Sequence, residues 1–123
     1  MMTEARSVIP IAELCGPHCT TPDEAQKLHD RLVQILRTKS IAEMDFQGVQ
    51  TILSLFLNLS VGRLYGAFDE AFVDSHVTWR GLDQSDESLL RLVTKNAKAH
   101  YKASPSDRAR ESEIVRRSIG NEP

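Results

Sequence analysis

The chain of 123 residues has no stretch of ~18 or more apolar residues, the length a membrane-spanning helix needs. It also lacks an N-terminal apolar segment with a basic lead-in, so neither secretion nor membrane attachment is supported and the cytoplasm is the expected location. An excess of one charge sign is missing as well, since 15 basic and 17 acidic side chains leave a net charge of -2. That balance gives no global attraction to phosphate backbones or anionic lipid, which argues against a nucleic-acid binder. Gly16 and Gly48 stand alone instead of forming a phosphate-cradling series, and no serine lies in a Gly-x-Ser-x-Gly setting. A nucleotide loop and a hydrolytic triad therefore lack their signatures, and no cofactor is expected.

Cysteine is scarce too: Cys15 and Cys19 are the only two. With His18 they make a Cys-x2-His-Cys cluster, three ligands where a structural zinc site takes four, and His29 would have to supply the fourth. One alternative reading is thus a small metal-dependent or thiol-based enzyme built on Cys15, His18, Cys19 and His29. The plainer reading is a pair of reduced loop thiols, because a disulfide framework belongs to secreted minidomains and nothing else here looks secreted.

What is present suits one domain, with 41% hydrophobic and 26% charged residues in a chain of ordinary domain length. Ser7 to Leu14 reads as a first strand, with Pro10 placing it at an edge or an irregularity because proline has no amide donor. Thr21-Pro22-Asp23-Glu24 marks a helix start: Thr21 caps, Pro22 fits the first helical position and Glu24 reaches back. Ala25, Leu28, Leu32, Ile35 and Leu36 then form one buried stripe, and the helix ends near Lys39. Strand two, Ser40 to Phe46, puts Ala42, Met44 and Phe46 on a cleanly apolar face and Ile41, Glu43 and Asp45 on the other, so one side of the sheet is less fully covered.

Helix two, from about Leu53 to Phe68, has more apolar residues than one stripe holds. Leu53, Phe56, Leu57, Leu64 and Phe68 point one way, while Leu55, Leu59, Gly62 and Gly66 lie opposite, where two glycines allow close backbone approach. Such a helix is either sandwiched within the domain or docks a partner. His76 to Arg80 is the third strand, with Val77 and Trp79 inward, and Ser85 and Asp86 begin a third helix with the stripe Leu89, Leu90, Val93, Ala97 and Tyr101. The alternation predicts an α/β fold: an open, mainly parallel sheet of three to four strands alternating with three main helices, joined by right-handed crossovers. Residues 1–6 are expected to be a flexible leader, 7–102 the domain and 103–123 a polar tail, helical or disordered.

The phrase Met44-Asp45-Phe46-Gln47-Gly48-Val49, the helix Ser54-Leu55-Phe56-Leu57-Asn58-Leu59 and Gly62-Arg63-Leu64 resemble the STAS-like family of small bacterial and phage α/β domains. The His76-Val77 strand and the Asn96-Ala97-Lys98-Ala99-His100-Tyr101 helix end look like the same family's closing elements, so the resemblance spans roughly residues 8–101. It implies a likeness to STAS anti-sigma-factor antagonists, non-enzymatic regulators that bind an ATPase-type kinase acting as anti-sigma factor and are switched by phosphorylation of a serine where the central helix begins. Matching the Asp45 to Val49 phrase places Ser54 at that serine. In the antagonists an acidic residue precedes it and small residues follow, whereas here Leu53 precedes and Leu55-Phe56 follow.

Two physical readings attach to the site residues. A phosphate on Ser54 would meet unpaired amides at a helix start and repel an acidic surface, whereas an unmodified serine there serves as a cap. Asp45, at a strand's carboxyl end, would orient a partner or a metal, or it hydrogen-bonds loop amides around Gly48. The leading expectation is a regulatory protein-interaction module whose partner surface comprises Asp45, Gln47, Gly48, Leu55, Leu59, Gly62 and Gly66, with Ser54 as its phospho-switch candidate. A homodimeric scaffold is a further alternative.

Overall fold

The computed structural model describes residues 5–102; the polar tail 103–123 and residues 1–4 lie outside the described residues. The first strand, β1 (Arg6–Pro10), begins within the expected leader and is shorter than the sequence suggests, because the chain turns into a helix, α1 (Ile11–Cys15), directly after Pro10. The reason is local. Pro10 has no amide to donate, Ile11 and Cys15 are buried four residues apart as on one helix face, and Gly16 stops the helix with φ 86°.

A two-residue strand, β2 (His18–Cys19), leads into α2 (Pro22–Arg37). Thr21 caps α2 as its sequence predicts: its hydroxyl oxygen accepts from the Glu24 amide at 3.3 Å and its proton goes to Glu24 Oε1 at 3.1 Å. Glu24 thus reaches back to the cap's hydroxyl and not to its amide. All five residues of the expected stripe are buried, and His29 joins them.

The central strand, β3 (Ile41–Asp45), pairs in parallel with β1 on one side and with β5 (Val77–Arg80) on the other. A second parallel pair joins β2 to β4 (Thr51–Ile52). The register sets Ile9, Met44 and Trp79 in one row on the inner face, and Val8, Glu43 and Thr78 in one row on the outer face. Ile9, Ala42, Met44, Phe46 and Val77 form the core with α2 and the later helices. The outer face is the thinly covered one anticipated from Glu43 and Asp45. It carries a ladder of ion pairs: Arg6 to Glu43 at 2.7 Å, Arg80 to Glu43 at 3.1 Å and Arg80 to Asp45 at 3.2 Å.

The expected helix from Leu53 to Phe68 is three pieces. It runs as α3 (Ser54–Leu57), a π-helical turn (Asn58–Gly62) and α4 (Leu64–Ala67). The wider turn shifts the buried face to Ser60, Val61 and Gly62. A short helix that the sequence pattern does not reveal, α5 (Glu70–His76), then feeds β5, so His76 ends a helix and does not open the strand. The last helix, α6 (Gln84–Lys102), is capped by Asp83, whose Oδ1 accepts the Asp86 amide at 2.8 Å, and not by Ser85 or Asp86. Leu90, Val93 and Ala97 are its buried stripe.

Candidate interaction site at the carboxyl end of the sheet

The turn after β3 is held by Asp45. Its Oδ1 accepts the Gln47 amide at 3.0 Å and its Oδ2 accepts from the Arg80 guanidinium at 3.2 Å. The Gln47 amide, with Arg80 behind it, holds the Asp45 carboxyl below the usual carboxylate range. Gly48 has φ 89°, which a turn of this hand requires, and Val49 donates back to the Phe46 carbonyl at 2.9 Å. Beside it, the loop after β5 presses against the same turn. Gly81 has φ 84°, and a Cβ there would lie 2.8 Å from the Gln47 nitrogen. The ends of β3 and β5 are therefore locked together at a spacing only glycine permits.

From this turn the chain enters β4, whose backbone is hung on the segment after α1. The Gln50 and Thr51 amides both donate to the Pro17 carbonyl, at 2.7 and 3.2 Å, and the Leu53 amide donates to the Cys19 carbonyl at 3.1 Å. Ser54 comes next as the first residue of α3, exposed, with Leu53 in the cap position. Among the described residues its hydroxyl has no hydrogen bond, so Ser54 is not the cap. On either side of it two leucines face outward, Leu53 at 46% and Leu55 at 49% relative exposure, in a domain where few large apolar side chains do so.

The other expected surface residues divide. Asp45, Gln47 and Gly48 share the turn, and Leu55 is at the surface with Ser54. Leu59 is half-buried against the core. Gly62 is buried under α6, with Ala97 and Val93 side chains 3.6 and 3.7 Å from where its Cβ would be. Gly66 sits beneath the Tyr101 ring, 2.5 Å from that position. Gly62 is thus internal packing against α6, which corrects the expectation that it is open to a partner, whereas Gly66 remains exposed beside the Tyr101 ring. Leu53, assigned to the buried stripe, is exposed because it precedes the helix instead of belonging to it. Its parity in the extended β4 segment, opposite to buried Ile52, was the available signal.

The Cys15, His18, Cys19 and His29 set does not converge. Among the described residues no group of three or more His, Cys, Asp or Glu side chains is placed to hold a metal ion. His18 is exposed and its Nδ1 bonds the Thr51 hydroxyl at 3.0 Å, while His29 is buried and its Nδ1 reaches the Ser60 carbonyl at 3.0 Å. Cys15 and Cys19 are free thiols, both buried, with the Cys15 thiol donating to the Glu24 carbonyl at 3.5 Å and the Cys19 thiol to the Gly16 carbonyl at 4.0 Å. The influence of each thiol on the other lowers Cys15 and, with burial, raises Cys19.

A cleft of about 620 Å³ lies between β5 and α6, lined in part by Tyr65, Trp79, Lys95 and Lys98. Its charges are largely spent within the chain: Lys98 pairs with Asp74 and Arg91 with Glu87, each at 2.8 Å. Burial, reinforced by the hydrogen bond from Tyr65 to Asp74, pushes the Tyr65 phenol up, leaving it a donor and not a base.

The architecture is that of a small α/β domain presenting a braced turn and an apolar-flanked helix start at the strand ends. The family model of the STAS-like domain of unknown function (DUF4325) matches residues 24–87, more than half of the chain, and the chain belongs to that family. No curated protein and no solved structure matches it. No helix among the described residues is long and apolar enough to cross a membrane.

Proposed function

We propose that this STAS-like domain is a non-enzymatic regulatory module that binds a protein partner through the segment from Asp45 to Leu55, with Ser54 as its switch. The observation that carries the reading is the pair Leu53 and Leu55, about half-exposed on both sides of a serine whose hydroxyl has no partner among the described residues. Exposed leucines flanking a modifiable hydroxyl suit a surface that is apolar in one state and charged in the other. Phosphorylation would set a charge of about -2 between them and oppose an apolar or acidic contact. The braced turn adds a fixed rim of Asp45, Gln47 and Gly48. The partner class comes from the family resemblance: an ATPase-type kinase of the anti-sigma kind, in a partner-switching cycle.

The reading is tested by affinity purification from the native host with wild type, Leu55→Asp and Ser54→Glu, and then by binding assays with the recovered protein produced pure. A partner retained by wild type and weakened at least ~10-fold, or 1.4 kcal/mol, by both variants agrees with the proposal. Unchanged affinity in both overturns it. Light scattering of the same three proteins across a concentration series separates a second copy of the chain from a foreign partner.

A further inference from the structure

We propose that the cleft between β5 and α6 is a second docking surface, which takes an extended acidic protein segment as an added strand on the open edge of β5. Among the described residues β5 pairs with β3 alone, so it is an edge of the three-stranded sheet. The Phe46 amide donates to the Arg80 carbonyl at 2.9 Å, which places the peptide groups of Thr78 and Arg80 on the β3 side. Alternation along the strand turns those of Val77 and Trp79 to the open edge. The Val77 amide is taken by the Val73 carbonyl at the end of α5, which leaves the Trp79 amide and the Val77 and Trp79 carbonyls for an incoming strand. The opposite edge, β1, carries Pro10, which has no donor to offer, whereas β5 contains no proline.

The chemistry of the occupant is set by α6. Arg91, Lys95, Lys98 and Lys102 lie at steps of four, three and four along one side of that helix, and all four line the 620 Å³ cleft beside Trp79. Asp74 is the one carboxylate in the lining, in a chain whose net charge is -2. Like charges one turn apart cost a helix stability. Glu87 offsets Arg91 and Asp74 offsets Lys98, each at 2.8 Å, and Glu70 lies 3.7 Å from Lys102. Lys95, exposed in the middle of the row, has no ion pair or hydrogen bond among the described residues.

An added strand supplies what this row is missing. The cations from Arg91 to Lys102 extend about 16 Å along the helix, the reach of about five extended residues. Side chains on one face of a strand recur every ~6.5 Å, close to the ~5–6 Å between successive cations, so acidic residues at alternate positions meet the row in step. Main-chain bonds to β5 give the affinity and the alternate carboxylates give the selectivity. A second copy of this chain is a poor occupant, since edge-to-edge pairing of two β5 strands would bring two such cationic rows together. A nucleic acid would match the charge but offers no strand to the Trp79 peptide groups.

The probe is a heptapeptide of alternating glutamate and valine, titrated into the full-length chain at low ionic strength. Trp79 is the chain's only tryptophan, so its fluorescence reports the site directly. The expected result is saturable binding that weakens with added salt and slows hydrogen exchange at the Trp79 amide. Lys95→Glu weakens it at least ~10-fold, and circular dichroism confirms that this exposed position leaves the fold intact. Methylating the backbone nitrogens of either the glutamates or the valines blocks one edge of the peptide; one of these two forms loses about 10-fold in affinity and the other keeps it.

No binding, unchanged affinity in Lys95→Glu or equal binding by both methylated peptides overturns the proposal. So does an oligothymidylate that binds as tightly as the peptide, which would make the row a nucleic-acid contact, or a concentration-dependent dimer that the peptide dissolves. The site uses β5 and α6 and not the segment from Asp45 to Leu55. Leu55→Asp therefore leaves peptide binding unchanged, and failure here is distinct from failure of the proposed regulatory function.

Discussion

The His29 ring on α2 donates from Nδ1 to the Ser60 carbonyl, 3.0 Å away, where the helix that starts at Ser54 widens into a π turn. Both residues are buried, and Ser60 also turns its hydroxyl back onto the Phe56 carbonyl at 2.7 Å. A π turn loosens the regular i to i−4 ladder, and a neighbouring side chain that meets a displaced carbonyl makes the irregularity tolerable. His29 therefore serves the packing of α2 on this helix, and its place on the buried stripe has a polar reason.

Replacing His29 with Phe keeps the bulk and removes the donor. The Ser60 carbonyl is then buried without that partner, and stability falls by about 1–3 kcal/mol. Urea unfolding monitored by circular dichroism reads this as a lower midpoint with an unchanged slope. His29→Gln, which restores an N–H, recovers part of the loss.

Asp45 sets a pH dependence. Its carboxyl is held below the ordinary 3.8, first by the Gln47 amide and then by Arg80. The folded state thus binds this proton less readily than the unfolded chain does. The turn's contribution to stability is complete above the unfolded value and is lost as pH falls through the lowered one. Side-chain carboxyl shifts measured by NMR will show Asp45 titrating below 3.8 in wild type. Because the backbone amide is the larger cause, part of the lowering persists in Arg80→Leu; a return to the ordinary value would make the ion pair the principal cause.

Gly81 and Gly16 both have positive φ, yet they predict different costs. A Cβ at Gly81 lies 2.8 Å from the Gln47 nitrogen, whereas at Gly16 nothing stands within 4 Å. Gly16→Ala loses only the conformational preference, about 1 kcal/mol. Gly81→Ala adds a clash with backbone and costs about 1–3 kcal/mol more. Thermal unfolding of the pair separates the two contributions, and for Gly81→Ala amide shifts should also move at Gln47.

On the outer face of β5, the Thr78 hydroxyl is buried without a hydrogen-bond partner. Thr78→Val replaces it with a methyl of the same shape and keeps a β-branched strand residue. Stability should rise by about 0.5–1 kcal/mol, read from the urea midpoint. A decrease would show that the hydroxyl is satisfied in solution.

Much of this was legible in the sequence where one principle acted alone. Thr21, Pro22 and Glu24 announced α2, and the alternation of Ala42, Met44 and Phe46 gave the covered face of β3. The Asp45-Phe46-Gln47-Gly48-Val49 phrase led to the family. Legibility failed where two patterns overlapped. Ile9 and Ile11 look like one alternating strand, but Pro10 divides a strand from a helix between them. The apolar surplus from Leu53 to Phe68 looked like a second docking face because a π turn, which rotates the stripe part-way along, leaves no composition signal. Gly62 and Gly66 were correctly marked as places of close approach, but the approaching element was α6 of the same chain. The partnership of Asp45 with Arg80 depended on a strand register that no local pattern encodes.

All of the ladders among the described residues are parallel, and each joins distant parts of the chain: Arg6 with Ile41, His18 with Thr51, Ala42 with Val77. With no hairpin to nucleate a sheet locally, every pairing must close a long loop first, which places the domain among slower-folding topologies. During synthesis β1 waits for β3, and β3 for β5. Until β5 has emerged, one edge of the central strand stays open to strangers, so the kinetics of its birth set a window for misassociation.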